Sequence, residues 1–82
     1  MQLVYFASVR EAIGHDGENI DLPPDILTVS AAIAWLSEQD AKYAAAFAEP
    51  AKLRFALDME MAKADAPIGA AKELAIFPPV TG

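Results

Sequence analysis

The chain has 82 residues, no cysteine and a formal net charge of −6 at pH 7. The lack of cysteine excludes disulfides, zinc–thiolate sites, iron–sulfur clusters and thiol nucleophiles. The excess of acidic residues argues against nucleic acid as a partner and mildly favours partners with basic docking surfaces. No apolar run approaches the ~20 residues that span a bilayer, and Met1-Gln2 shows no basic leader, so we expect no membrane association and a cytoplasmic location.

The first predicted element is a strand over residues 2–9, in which two sets of side chains alternate. One set is apolar and is expected to face the core: Leu3, Tyr5, Ala7 and Val9. The opposite set is half polar, yet it contains Phe6. An aromatic side chain on a face that should meet water needs a separate explanation.

A short helical turn, a second strand and the main helix follow. Residues 10–13 are predicted to form one helical turn that ends at Gly14, a residue suited to the left-handed C′ position. A strand over about 18–22 comes next, and two prolines close it. Thr28 is a suitable N-cap for a helix over about 29–38, whose apolar residues recur at helical spacing: Val29, Ala32, Ile33 and Leu36.

A second short helix and a hairpin are predicted after the main helix. The alanine-rich stretch 41–48 favours a helix that is broken before Pro50. Alternating apolar residues predict a strand over 53–57, a turn at Asp58-Met59 and a returning strand that begins at Met61-Ala62. The acidic side chains of this turn are interpreted as ordinary surface charges.

The last predicted strand, over residues 73–77, runs into an unusual terminus. Phe77 lies opposite the core side of this strand, as Phe6 does in the first strand. Two prolines then end the strand, because proline has no N–H for a sheet ladder, and they favour an extended spacer. The final glycine has no side chain to obstruct entry into a narrow site. We therefore expect a tail over about residues 78–82 that presents the terminal carboxylate to a partner.

These elements predict one α+β domain over residues 1–82, with the main helix packed on one face of the sheet. The chain resembles the small subunit of molybdopterin synthase (the MoaD family), a sulfur carrier with the ubiquitin-like β-grasp fold, and this resemblance implies a mixed sheet. The segments that carry the resemblance are Val9-Arg10-Glu11-Ala12-Ile13-Gly14, then Pro24 with Thr28-Val29, and above all Ile76-Phe77-Pro78-Pro79-Val80-Thr81-Gly82. The resemblance covers the whole chain, and its specific part is the Phe-Pro-Pro-Val tail.

The resemblance implies a function centred on the carboxylate of Gly82. An E1-like activating enzyme adenylates this carboxylate with ATP, and a sulfur donor protein converts it to a thiocarboxylate. The synthase large subunit then receives the sulfur for the dithiolene of molybdopterin, within a heterotetramer of two small and two large subunits. The residues that insert into the partner sites are Pro78, Pro79, Val80 and Thr81. The chain has no glycine-rich phosphate loop, so no bound cofactor or metal is expected, and ATP is used by the activating partner.

The resemblance also accounts for the two unexplained aromatic residues. In a β-grasp sheet the first and last strands are parallel neighbours, which places Phe6 and Phe77 side by side on the face away from the helix. Met61 matches a third apolar interface position of the family. We predict that Phe6, Met61 and Phe77 form a docking patch for both the large subunit and the activating enzyme. The alternative is that these side chains fill gaps in the core or are singly exposed.

Two other functions remain open from the sequence. One is a thiamin-type sulfur carrier or a ubiquitin-like modifier, which usually lacks Phe-Pro-Pro-Val, and the other is a β-grasp interaction domain without chemistry. Family members end in Gly-Gly, whereas this sequence ends in Thr81-Gly82. One extended residue spans about 3.3 to 3.6 Å, so a missing glycine would leave the carboxylate short of its site. We expect the native chain to carry a further glycine, in which case Gly82 is the penultimate residue.

Overall fold

The computed structural model describes residues 1–79, and the last three residues of the predicted tail, 80–82, lie outside the described residues. The described residues contain five strands, three α-helices and one 3-10 turn. In chain order these are β1 (Gln2–Tyr5), α1 (Ala7–Ile13), β2 (Gly17–Asn19), α2 (Val29–Gln39), α3 (Ala41–Ala46), the turn Pro50–Lys52, β3 (Arg54–Leu57), β4 (Glu60–Ala62) and β5 (Glu73–Phe77). Across residues 1–79, no helix has the length and apolar character needed to cross a membrane.

The five strands form one mixed sheet in the order β2-β1-β5-β3-β4. β1 and β5 run parallel at the centre, with Gln2 opposite Glu73 and Tyr5 opposite Ile76. The other pairs are antiparallel. This is the predicted β-grasp arrangement, and it confirms the predicted fold class. β5 is therefore hydrogen-bonded to a neighbour on both sides.

The core lies between the sheet and the helices. Its buried residues form one cluster, and those with no exposed surface are Leu3, Val29, Ala32, Leu36, Leu74 and Ile76. The predicted core faces of the main helix and of the last strand are confirmed, because period-2 and period-3.6 patterns are unambiguous in these two segments.

The predicted ends of two helices are also confirmed. The Thr28 hydroxyl accepts a hydrogen bond from the amide of Ala31 at 3.2 Å, which satisfies a donor at the start of α2. Gly14 has a φ of 101°, the left-handed conformation that ends α1. Local capping chemistry thus fixes both boundaries.

The predicted strand over residues 2–9 is wrong in its second half, because β1 ends before Phe6 and the chain turns into α1. Ala7 has a positive φ of 50° and is exposed, contrary to its predicted place in the core. The Phe6 carbonyl accepts from the amides of Val9 and Arg10 in the first turn of α1. Val9 is buried as expected, but from a helix, since Val9 and Ile13 stand four residues apart on its inner face.

The turn between β3 and β4 does more than connect two strands. Asp58 and Met59 have φ values of 48° and 68°, as a two-residue type I′ hairpin turn requires. One oxygen of the Asp58 carboxylate accepts from the amides of Lys72 and Glu73, at 2.9 and 3.0 Å. The interpretation of Asp58 as an ordinary surface charge was wrong, because this side chain ties the hairpin to the start of β5.

A hydrogen-bonded cluster around Glu18 joins β1, β2 and α3. The hydroxyls of Tyr5 and Tyr43 both donate to Glu18 Oε2, at 2.7 and 2.6 Å. Burial alone would raise the pKa of Glu18, but the hydrogen bonds from the two tyrosines, together with the nearby His15 and Lys42, outweigh it and lower that pKa. Burial and the bond to Glu18 raise the pKa of Tyr43 to about 12 and raise that of Tyr5 as well.

We expect Glu18→Gln to lower the free energy of unfolding at neutral pH by about 1 to 3 kcal/mol, because an amide is a weaker acceptor than a carboxylate. The pKa of Glu18 is lower in the folded protein than its ordinary 4.5, so its contribution is present above pH 4.5 and is lost as the pH falls through the folded value. The raised pKa values of the two tyrosines give the opposite pH dependence. Their contribution to the free energy of unfolding is lost as the pH rises towards 12.

Urea denaturation of the wild type and of Glu18→Gln near pH 7 and near pH 3 measures this effect. The difference in unfolding free energy should shrink at the lower pH. Glu38→Gln, at an exposed position of α2, is the matched control and should cost nothing measurable. A difference that is equal at both pH values would contradict the assigned role of the carboxylate.

Candidate docking surface and tail

The structure brings Phe6 and Phe77 together. Their ring centroids are 6.2 Å apart and the rings meet edge to face at 86°, a favourable geometry for an aromatic pair. Phe77 ends β5, and Phe6 follows directly on β1, so the parallel register of these strands makes them neighbours. Phe6 is 48% exposed, and the two rings border a shallow apolar depression.

Met61 lies further along the same sheet face and is 68% exposed. It stands opposite Ala56, which stands opposite Ala75, which in turn stands opposite Val4. This row of apolar side chains crosses four strands, so Met61 lies two strands, or about 10 Å, from β5. The two alanines form the floor between Met61 and the aromatic pair.

Together these side chains form what we call the apolar patch: Val4, Phe6, Ala56, Met61, Ala75 and Phe77. None of its members belongs to the core cluster under the helices. Ala56 and Ala75 are only 8% and 7% exposed because they are short and their larger neighbours shield them. The alternative that Phe6 and Met61 fill gaps in the core does not agree with their exposure. Their use in docking stays a prediction.

Sequence reasoning missed Ala56, Ala75 and Arg54 as parts of this surface. Alanine carries no signal of its own, because it is common in helices, strands and cores alike. The strand register that aligns these residues is set by contacts between distant segments, and it was not readable from local alternation. Only an aromatic residue on the wrong face of a strand gave a signal.

Arg54 borders the apolar patch at the point where the tail leaves the sheet. It stands opposite Phe77 in the antiparallel pair of β3 and β5, and it is exposed. Its Nη1 donates to the carbonyl of Leu53 at 3.0 Å. Among residues 1–79, Lys52 forms an ion pair with Glu49 and the His15 ring lies 3.7 Å from the Glu18 carboxylate, and Arg54 takes part in neither contact.

The tail is described only at its base. Pro78 and Pro79 follow β5 directly, lie outside the sheet and are partly exposed. They directly extend β5, the central strand of the sheet. Because β5 is hydrogen-bonded to β1 and to β3, the start of the tail has a fixed position. The other predicted site residues, Val80, Thr81 and Gly82, lie outside the described residues.

A larger depression of about 570 Å³ lies at the opposite end of the sheet from the aromatic pair. Met1 and Leu27 line it, and Asp21 supplies the one charged side chain among its described lining residues. The Met1 ammonium donates to the Ile20 carbonyl at 3.0 Å and forms no ion pair with Asp21 among residues 1–79, so the depression holds no assembled acid–base pair. The apolar patch and the tail therefore remain the candidate functional site.

The architecture and this surface define a class of protein. A mixed sheet with central parallel strands, a main helix across one face and an apolar patch on the other is that of a ubiquitin-like β-grasp protein. The chain belongs to the ThiS family, whose model matches residues 3–82.

Curated and solved relatives agree with this assignment. The chain is 34% identical over 82 residues to the molybdopterin synthase sulfur carrier subunit of Escherichia coli (strain K12), with 100% of this chain and 98% of the relative covered. SAMP1 from Haloferax volcanii is similar in structure, with a TM-score of 0.72, 25% identity and coverage of 100% and 97%. The putative molybdopterin converting factor subunit 1 from Pyrococcus furiosus has a TM-score of 0.72, 25% identity and coverage of 96% and 95%. The resemblance found in the sequence is confirmed.

We expect the exposed patch residues to contribute little to stability. Phe6→Ala and Met61→Ala should each lower the free energy of unfolding by no more than about 1.5 kcal/mol, because much of each side chain already meets water. Leu74→Ala, on the core side of β5, should cost about 2 to 5 kcal/mol. Urea unfolding of the three variants measures the contrast. A cost at Phe6 or Met61 as large as that at Leu74 would place the side chain in the core.

Proposed function

We propose that this chain is the sulfur carrier subunit of a molybdopterin synthase. Its terminal glycine carboxylate is adenylated and then converted to a thiocarboxylate by partner enzymes, and the sulfur is used for the dithiolene of molybdopterin in molybdenum cofactor biosynthesis. The observation that carries the proposal is geometric: the tail starts at the end of the central strand, beside an aromatic pair in which Phe6 is exposed and Phe77 is partly exposed. The full-length similarity to a curated sulfur carrier subunit supports it.

The proposed chemistry uses the backbone rather than a side chain. A carboxylate resists nucleophilic attack until one of its oxygens becomes part of a good leaving group. Adenylation forms an acyl–phosphate bond and releases pyrophosphate, and attack by a sulfur nucleophile on the acyl carbon then releases AMP. In a chain without cysteine, the terminal carboxyl is the available place to carry sulfur. The subunit supplies an acyl group and is not an enzyme on its own.

The geometry of the described residues suits delivery of such a group. β5 is paired on both sides, so the starting point of the tail is fixed relative to the apolar patch. In an extended polyproline conformation, each residue after β5 advances the chain by about 3.1 Å. A partner that covers Phe6 and Phe77 therefore meets the tail at a defined position.

The proposal implies three protein partners and no bound cofactor. These are the synthase large subunit, an adenylating E1-like enzyme that uses ATP, and a sulfur donor protein. We place all of them in the cytoplasm, with the two kinds of synthase subunit in a heterotetramer. The large subunit and the activating enzyme both need access to the same terminal group. We therefore propose that each of them binds in turn to the surface formed by Phe6, Met61 and Phe77.

The first test of the proposed function is a mass measurement. The native protein, incubated with its activating enzyme, ATP and a sulfide source, should gain the mass difference between sulfur and oxygen at its C-terminus. Omission of ATP should abolish the gain, and addition of the large subunit with the dithiolene precursor should reverse it. An unchanged mass, with an activating enzyme shown to form the adenylate of another carrier, would contradict the proposal. A gain that the large subunit does not reverse would favour a thiamin-type carrier.

The second test concerns docking. Phe6→Ala should weaken binding to the large subunit at least about tenfold, since a central aromatic residue often dominates an interface. Leu27→Ala is the matched control, because Leu27 is 67% exposed and lines the depression at the other end of the sheet. Titration calorimetry should find its affinity within about twofold of the wild type. Equal losses in the two variants would speak against the apolar patch as the docking surface.

A further inference from the structure

We propose that Arg54 makes the apolar patch selective for a partner that places a carboxylate over it, and that docking is salt-dependent for this reason. The inference rests on the proposed function and adds one charged contact to it. The occupant it commits to is the molybdopterin synthase large subunit, with an acidic side chain at the rim of the site that receives the tail.

The strand register places the charge of Arg54 beside the route of the tail. Arg54 stands opposite Phe77, while the next residue, Phe55, points into the core. Lys63 directly follows β4 and continues the antiparallel register opposite Arg54, so a second cation lies at this end of the sheet. In a chain with a net charge of −6, this is a local reversal of sign.

Docking on the apolar patch would remove water from the Arg54 guanidinium. Within the part of the chain that the structure describes, the Arg54 guanidinium donates to the neighbouring Leu53 carbonyl and takes part in no ion pair. A charge that loses water without gaining an acceptor opposes binding. A carboxylate matches the planar guanidinium with two parallel hydrogen bonds, so it is the partner group that removes this penalty.

A second copy of this chain is the less suitable occupant. Two copies would approach each other with −6 charges each, which opposes association at low salt. The residue opposite Arg54 is also the last one before the prolines of the tail, so any partner that takes up the tail must lie next to this guanidinium.

The experiment compares Arg54→Glu, Arg54→Gln and Arg54→Lys with the wild type, using the purified large subunit as the binding probe at about 0.05 and 0.5 M salt. At low salt, Arg54→Glu should weaken binding by about tenfold or more, and Arg54→Gln by less. Arg54→Lys keeps the charge but cannot form the two parallel hydrogen bonds, so it should bind more tightly than Arg54→Gln and less tightly than the wild type. At high salt the differences should become smaller without disappearing, because salt screens the long-range attraction more than it screens the desolvated pair.

The matched control is Lys52→Glu, which reverses another exposed charge, in the turn before β3, where Lys52 pairs with Glu49. It should bind within about twofold of the wild type. All variants change exposed side chains, and unchanged urea midpoints are expected to show that each one folds.

The outcomes separate this inference from the proposed function. If Arg54→Glu binds as the wild type does while Phe6→Ala is weakened, the role of Arg54 is overturned and the proposed function stands. If Arg54→Glu is weakened equally at both salt concentrations and Arg54→Lys gives no rescue, the side chain acts by packing and the charge claim is overturned. If the wild type does not bind the large subunit at either salt concentration, both are overturned. Salt-independent dimerisation in sedimentation runs of the wild type, lost in Arg54→Glu, would assign the surface to a second copy instead.

Discussion

The structure depends on the placement of β5 between a parallel and an antiparallel neighbour. This pairing holds the last strand at the centre of the sheet, and the inward side chains of Leu74 and Ile76 fill the core from there. The same strand presents Ala75 and Phe77 on the opposite face and then continues into Pro78. Because one strand carries all three features, the core, the apolar patch and the base of the tail keep a fixed relation to one another.

The parallel pairing with β1 is what makes two separate aromatic residues into one surface. Phe6 and Phe77 are far apart in the chain. They meet because Tyr5 and Ile76 are paired in the parallel strands, and each aromatic residue directly follows one of these two. The alanines at positions 56 and 75 matter for the opposite reason. Short side chains leave the middle of the face low, so a partner backbone or side chain has room to lie between the aromatic pair and Met61.

Local signals made much of this fold predictable. Short stretches of sequence are enough to predict three of its features: the span of β5, the N-cap Thr28 and the left-handed Gly14. The end of β1 was not predictable, because Val9 fits two spacing patterns. It continues the alternation of a strand that contains Leu3, and it also lies four residues before Ile13, as the apolar face of a helix requires. The role of Asp58 depends on amides at residues 72 and 73, and the composition of the apolar patch depends on register. Both arise from contacts between segments that are distant in sequence.

The arrangement has a consequence for the order of the proposed reactions. Adenylation and sulfur donation both act on the terminal carboxylate, and both require a protein that accepts the tail. Since the tail begins beside Phe77, the proposed function assigns the sheet face that carries the apolar patch to each such protein. Two proteins do not occupy the same face at once, so under this proposal the carrier leaves its activating enzyme before it docks on the synthase. The proposal thereby couples recognition and delivery through a single strand, and the sequential use of one surface would separate loading from transfer.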